Sequence, residues 1–381
     1  MTFPLHNSLP RTHEGFLSQE DPDFNINDTP FTTIPGIHMV YSFPLDYMHL
    51  VCLGVMRTML YIWMFGPVPL KLPNKIIASI SSKLVSLKPH IPLDFCRKPR
   101  PLDEVKRWKA TEFRQFLLYT GPLVLHDILL PDYEHIYKNF LSLHISMSIL
   151  LNKSLSSNHQ QYAKDLLINF VKTFQSLYGQ KYITHNFHGL THIADDVTVF
   201  GPLDNCSAFK FENYLYSLKK CVRKGSRPLQ QVVKRLTESS NFSSTERKLN
   251  RSFPFFEQQH YNGPIFDGCN PNKQYNSAVC QNFKITTSAP NSCCLINDGS
   301  IVIIENFIYS TKAEAIVIIC RHFKNIRDFF GLPFCASRQL NIAVVSDLSN
   351  MEIRPFSSIK EKMVLLKIQD NKHLALPLLH C

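Results

Sequence analysis

The chain has no run of about 18 uninterrupted apolar residues, the length a membrane-spanning helix requires. Its N-terminus lacks the charged-then-apolar pattern of a secretion signal, so the expected setting is intracellular. Its eleven cysteines are odd in number and follow no regular spacing, and no C-x-x-C pair occurs. That argues against a disulfide framework and against a cysteine-based zinc module. The adjacent Cys293 and Cys294 sit in an apolar stretch and read as core. Acidic charge is also scarce: 30 Asp and Glu stand against 41 Lys and Arg, leaving a formal charge of +11. A balance of that sign favours a polyanionic partner, nucleic acid above all. Apolar content of 44% over 381 residues is enough for two or three domains with real cores and excludes general disorder.

Along the chain the pattern changes several times. Residues 1–36 are polar and rich in Pro, Asp and Asn, and read as an extended arm. IHMVYSF at 37–43 reads as a short strand. Asp46 follows it, and helical apolar spacing starts at Tyr47 and runs to about Phe65. Residues 74–200 are almost wholly helical in period, with a Gly-Pro interruption at 121 and 122 and two long helices expected at 135–152 and 159–179. Residues 201–240 carry a basic helix pair, at about 209–224 and 228–239, and 241–262 reads as a linker. The stretch 263–381 holds short β runs separated by turn residues. Its clearest signal is a hairpin at Asp298-Gly299, and the whole predicts a small all-β barrel or sandwich.

Three constellations could carry chemistry. Asp46 at the end of an apolar run and Glu212 near the start of a helix are carboxylates of the type that hold divalent cations in two-metal phosphoryl transfer. His185, His188 and His192 follow an H-x2-H-x3-H spacing that puts the last two on one helical face. They read either as a metal cluster or as histidines packed beside the site, with His49 a further neighbour of Asp46. The segment 218–235 carries Lys219, Lys220, Arg223, Lys224, Arg227, Lys234 and Arg235 with no acidic residue among them. Such a density suits phosphate contacts or a solvated basic face.

Four segments give these residues a common context: FPLDYMHLVCLGVMRTML, WKATEFRQFLLY, HNFHGLTHIADDVTVFGPLDNCSAFKFENYL and the closing LALPLLHC. Together they resemble transposases of the CACTA (EnSpm) DNA-transposon superfamily in its animal form, over nearly the whole chain. The resemblance implies an α+β multidomain fold. A partial RNase H-like core at 37–73 and 201–240 would be interrupted by the all-α insertion at 74–200 and followed by the β domain. It implies a DDE-type reaction, nicking of transposon ends and strand transfer, with Mg2+ or Mn2+ as cofactor, DNA as partner, a possible homo-oligomer on that DNA, and a nuclear location. By motif match Asp46 takes the place of the second acid and Glu212 that of the third. The 45 residues before Asp46 contain no β-meander to carry a first acid. The expectation is therefore the C-terminal part of a transposase, inactive alone, or a non-catalytic binding module retained by its host.

Overall fold

The computed structural model describes residues 11–245 and 253–380. Residues 1–10 of the expected arm and 246–252 of the expected linker lie outside it. The chain divides into two compact units, one taking Met1–Ile80 with Leu102–Ala208 and the other Ser81–Pro101 with Phe209–Cys381.

The described part of the first unit is helical. Its labelled helices are α1 (Met48–Phe65), α2 (Asn74–Ser86, within which the division falls), α3 (110–129), α4 (Glu134–Leu151), α5 (Lys153–Tyr178), α6 (His185–Gly189) and α7 (Ile193–Phe200). Residues 37–43 form turns, so the strand expected ahead of Asp46 is absent. The described residues of this unit contain no strand for it to pair with, and a lone strand has no ladder to join.

α4 is the central helix, buried along nearly its whole length. Its serines survive there because Ser142, Ser146 and Ser148 donate to carbonyls four residues back, at 2.8–3.1 Å. His144 meets the carbonyl of Leu117 at 3.0 Å, and burial pushes its imidazole down to about 4, so it is neutral at pH 7. α1 is long and apolar enough to cross a membrane by composition, yet Met48, Val51, Val55, Met59 and Trp63 are fully buried inside this unit. The Trp63 indole donates to the Tyr178 hydroxyl at 2.7 Å, tying α1 to the end of α5. The Gly121-Pro122 pair does not break α3. A π-helical stretch over Phe116–Thr120 accommodates the amide that proline lacks.

The second unit contains α8 (Ala208–Cys221, whose first residue falls in the helical unit), α9 (Pro228–Thr245) and ten antiparallel strands. Of the expected linker at 241–262, residues 241–245 belong to the end of α9 and 255–260 to β1 (Phe255–His260). The other strands are β2 (Cys269–Val279), β3 (Lys284–Thr286), β4 (Cys293–Ile296), β5 (Ile301–Ser310), β6 (Ala315–Arg327), β7 (Ala343–Leu348), β8 (Glu352–Pro355), β9 (Ile359–Gln369) and β10 (Lys372–Pro377). The pairings β5-β4-β9-β10-β7-β6 return to β5 and close a six-stranded barrel. Closure leaves those six strands without an open edge, while β1, β3 and β8 lie outside the ring.

Side-chain alternation then builds two cores. Cys293, Leu295, Ile301, Phe323, Ala343, Val345, Met363 and Ala375 come from all six barrel strands and fill the interior. Cys294, Val302, Ile304, Phe307 and Ile318 face outward and pack with Ala278 and Ile285 of β2 and β3. The neighbouring cysteines therefore serve opposite faces, and burial raises both thiols.

One charge sits in this apolar setting. Lys362 on β9 is fully buried beneath the segment 81–101, and its ammonium donates to Asp94 at 2.5 Å, to the Lys284 carbonyl at 2.6 Å and to Asn291 at 3.3 Å. Asn291 also accepts from the backbone amide of Leu93 at 2.9 Å, so the segment and the barrel share one polar knot. Removing a single partner leaves a buried charge without its counter-ion, which typically costs about 3–5 kcal/mol. Asp94→Ala is expected to lower the opening free energy of β4 and β9 by about 3 kcal/mol. Amide hydrogen exchange measures it, and adding Lys362→Met should restore most of the loss. Unchanged protection in the single variant would contradict this account of the knot.

Candidate functional site around Asp46

Asp46 stands immediately before α1, and its carboxylate is already in use. Oδ1 accepts from the Met48 amide at 3.1 Å and the Ala208 amide at 2.8 Å, and Oδ2 accepts from the His49 amide at 3.0 Å and meets the His49 ring. The first two residues of α1 need acceptors because helix starts leave their amides unpaired, and Ala208 opens α8 in the same condition. One carboxylate thus caps the starts of two helices. The site is half-open: the Asp46 side chain is 25% exposed and that of His49 58%.

The residue before it is held as well. Asp196, in the first turn of α7, accepts from the Leu45 amide at 2.8 Å. Burial raises the Asp196 carboxyl, opposed by that hydrogen bond. Two glycines let α1 and α6 approach closely. A Cβ on Gly54 would lie 2.6 Å from Asn186 Nδ2, and one on Gly189 would lie 2.5 Å from Leu50 Cδ1. α3 brings a third element: Arg114 reaches Asp204 at 4.0 Å, and both charges are felt by the buried Tyr47, whose phenol is raised chiefly by desolvation. The segments around residues 43–57, 108–119 and 185–208 therefore meet in one packed layer, although they are far apart in sequence.

The three histidines do not form a chelate. His188 and His192 face each other with their Nε2 atoms 3.3 Å apart, and His188 is pushed down by burial and then by its two histidine neighbours. Among the described residues no group of three or more His, Cys, Asp or Glu side chains is arranged to hold a metal ion. Glu212 lies exposed on α8, within the second unit, whereas Asp46 belongs to the helical unit. As placed, Asp46 with its acceptor positions taken by amides does not fit the divalent-cation role implied by the transposase resemblance. Its capping role was readable: an Asp directly ahead of an apolar helical run is a helix-start signal.

The basic residues form a second cluster at the turn between α8 and α9. Lys219, Lys220, Arg223, Lys224, Arg227 and Lys234 are exposed and Arg235 half-buried. Lys220 stacks over the Tyr216 ring at 4.4 Å, and Lys234 reaches Glu238 at only 3.9 Å. Gln231 fixes the turn between them. Its Oε1 accepts from the amides of Arg223 and Lys224 at 2.9 and 3.2 Å, and its Nε2 donates to the carbonyls of Lys224 and Ser226 at 2.9 and 2.6 Å. Sequence reading overlooked this glutamine, because its partners are backbone groups that no motif marks.

If Asp46 acts as a cap, Asp46→Ala should destabilise the helical unit by about 1–2 kcal/mol, whereas Asp46→Asn, which keeps one acceptor oxygen for the Met48 and Ala208 amides, should cost less. Both tryptophans, Trp63 and Trp108, lie in this unit, so fluorescence-detected urea unfolding reads it directly. Equal losses for the two variants would contradict capping.

A family model described as a domain of unknown function (DUF8592) matches residues 259–378, the stretch that contains the barrel strands. No curated protein and no solved structure matches the chain.

Proposed function

We propose that this chain is a transposase-derived nuclear protein that holds duplex DNA through the cationic turn between α8 and α9 and does not cut it unaided. The observation that carries the reading is the run of seven cations from Lys219 to Arg235, six of them exposed and none interrupted by an acid. Phosphates are the complementary partner for such a turn, since each contact releases a condensed counter-ion without reading sequence. The clasp by Gln231 supports it further. A fixed turn presents its cations without first having to be ordered.

Descent from a transposase is supported by the packing around Asp46. Three of the four segments that carry the CACTA resemblance meet there, through Leu45, Gly54, Arg114, Gly189 and Ala208. The finer reading, a remnant of an RNase H-like core with Asp46 and Glu212 as its second and third acids, belongs to that same proposal. Catalysis by those acids is not part of it, because the Asp46 carboxylate is committed to three amides.

Binding to a generic duplex should weaken steeply with salt. Neutralising Lys219, Lys220, Arg223 and Lys224 should reduce the slope of log K against log salt by about 3–4. Fluorescence anisotropy across a salt series measures it, and an unchanged slope or no binding at low salt would sink the reading. With Mg2+ or Mn2+ the purified chain should leave supercoiled plasmid intact. Nicking that disappears in Asp46→Ala would overturn the non-catalytic half of the proposal.

A further inference from the structure

The cationic segment 218–235 contains one hydroxyl residue, Ser226, in the connection between α8 and α9. Arg223 and Lys224 stand three and two positions before it, and Arg227 directly follows it. All four residues are exposed. Gln231 holds the turn through backbone amides and carbonyls alone, so these side chains are left to solvent. The Ser226 hydroxyl has no hydrogen-bond partner among the described residues. The space beside it is open, since a Cβ on Gly225 would meet nothing within 4 Å.

Cations at the third and second positions before a serine or threonine suit the acidic substrate groove of a basophilic kinase, where charge pattern sets specificity. Only Ser226 and Thr237 follow basic residues at both positions in this chain. Thr237 lies within α9 and donates its hydroxyl to the Val233 carbonyl at 3.0 Å. In a helix the residues two and three positions back diverge by about 100°, so one groove cannot read both. Ser226, in an open turn, has neither obstacle.

We propose that Ser226 is a phosphorylation site for a basophilic serine/threonine kinase and that its phosphate releases the turn from DNA. The release rests on the DNA-binding reading, whereas the acceptor site does not. The γ-phosphoryl group of ATP passes to Ser226 Oγ. The bond to the departing ADP oxygen breaks, the Oγ–P bond forms, and the hydroxyl proton goes to a base of the kinase. Phosphoserine carries about −1.5 to −2 charge at pH 7, beside Arg223, Lys224 and Arg227, which then pair with it in place of DNA phosphates. Offsetting about two cations should lower the salt slope by about 2 and weaken duplex binding about 10- to 100-fold at about 0.1 M salt.

Treating the nuclease-treated full chain with a purified basophilic serine/threonine kinase, ATP and Mg2+ tests both halves. Mass spectrometry should place the phosphate on Ser226, with none on Thr237, and should lose it in Ser226→Ala. Arg223→Ala with Lys224→Ala should slow the transfer by about tenfold or more. Fluorescence anisotropy should then show weaker duplex binding and a lower salt slope in the treated wild type, with treated Ser226→Ala unchanged. An unmodified Ser226 overturns the proposal, and so does a phosphorylated chain that binds duplex as tightly as the untreated one. No duplex binding by the untreated chain sinks the DNA reading and the release with it, while the phosphate on Ser226 is still read by mass.

Discussion

The carboxylate of Asp46 is the constraint on which the organisation of the helical unit rests. It supplies acceptors to two amides at the start of α1 and to the first amide of α8, and it does so from a position where Leu45 is fixed in turn by Asp196. Met48, at the start of α1, is fully buried, so its amide calls for an acceptor from within the protein. An internal acceptor is needed, and an ionised one binds amides about twice as strongly as a neutral group. Gly54 and Gly189 then allow the close contact of α1 with α6 that places this cap inside a packed layer.

The same logic recurs in the second unit with the sign reversed. Lys362 is a cation buried among Asp94, Asn291 and a carbonyl, and it makes the segment 81–101 part of the barrel's structure. Both units therefore use one buried or half-buried charge to join segments distant in sequence. The exposed charges behave differently. The cations from Lys219 to Arg235 are concentrated at one turn, where their joint field can act on a polyanion, while the apolar residues of the same helices lie on other faces.

Much of this was legible in the sequence wherever the signal is local. The helices expected at 135–152 and 159–179 occur as Glu134–Leu151 and within Lys153–Tyr178, whose backbone departs from helical geometry at His159, and the Asp298-Gly299 turn joins β4 to β5. Local periodicity failed for IHMVYSF, where a short, largely apolar stretch fits a strand or a turn equally well. At 241–262 the described residues differ from a linker only in part: 241–245 continue α9 and Phe255–His260 form β1. The contacts that define the candidate site were beyond it for a different reason. Ala208 to Asp46 and Lys362 to Asp94 join positions more than 150 residues apart, and two of the four groups in the Asp46 cap are backbone amides of otherwise unmarked residues.

The central claim is that Asp46 serves as a helix cap and not as a cation ligand. Titration of the purified chain with Mn2+, following free ion by electron paramagnetic resonance, tests it most directly. The account predicts the same weak uptake for wild type and Asp46→Asn. One tightly held equivalent of Mn2+ in the wild type, lost in Asp46→Asn, would contradict it.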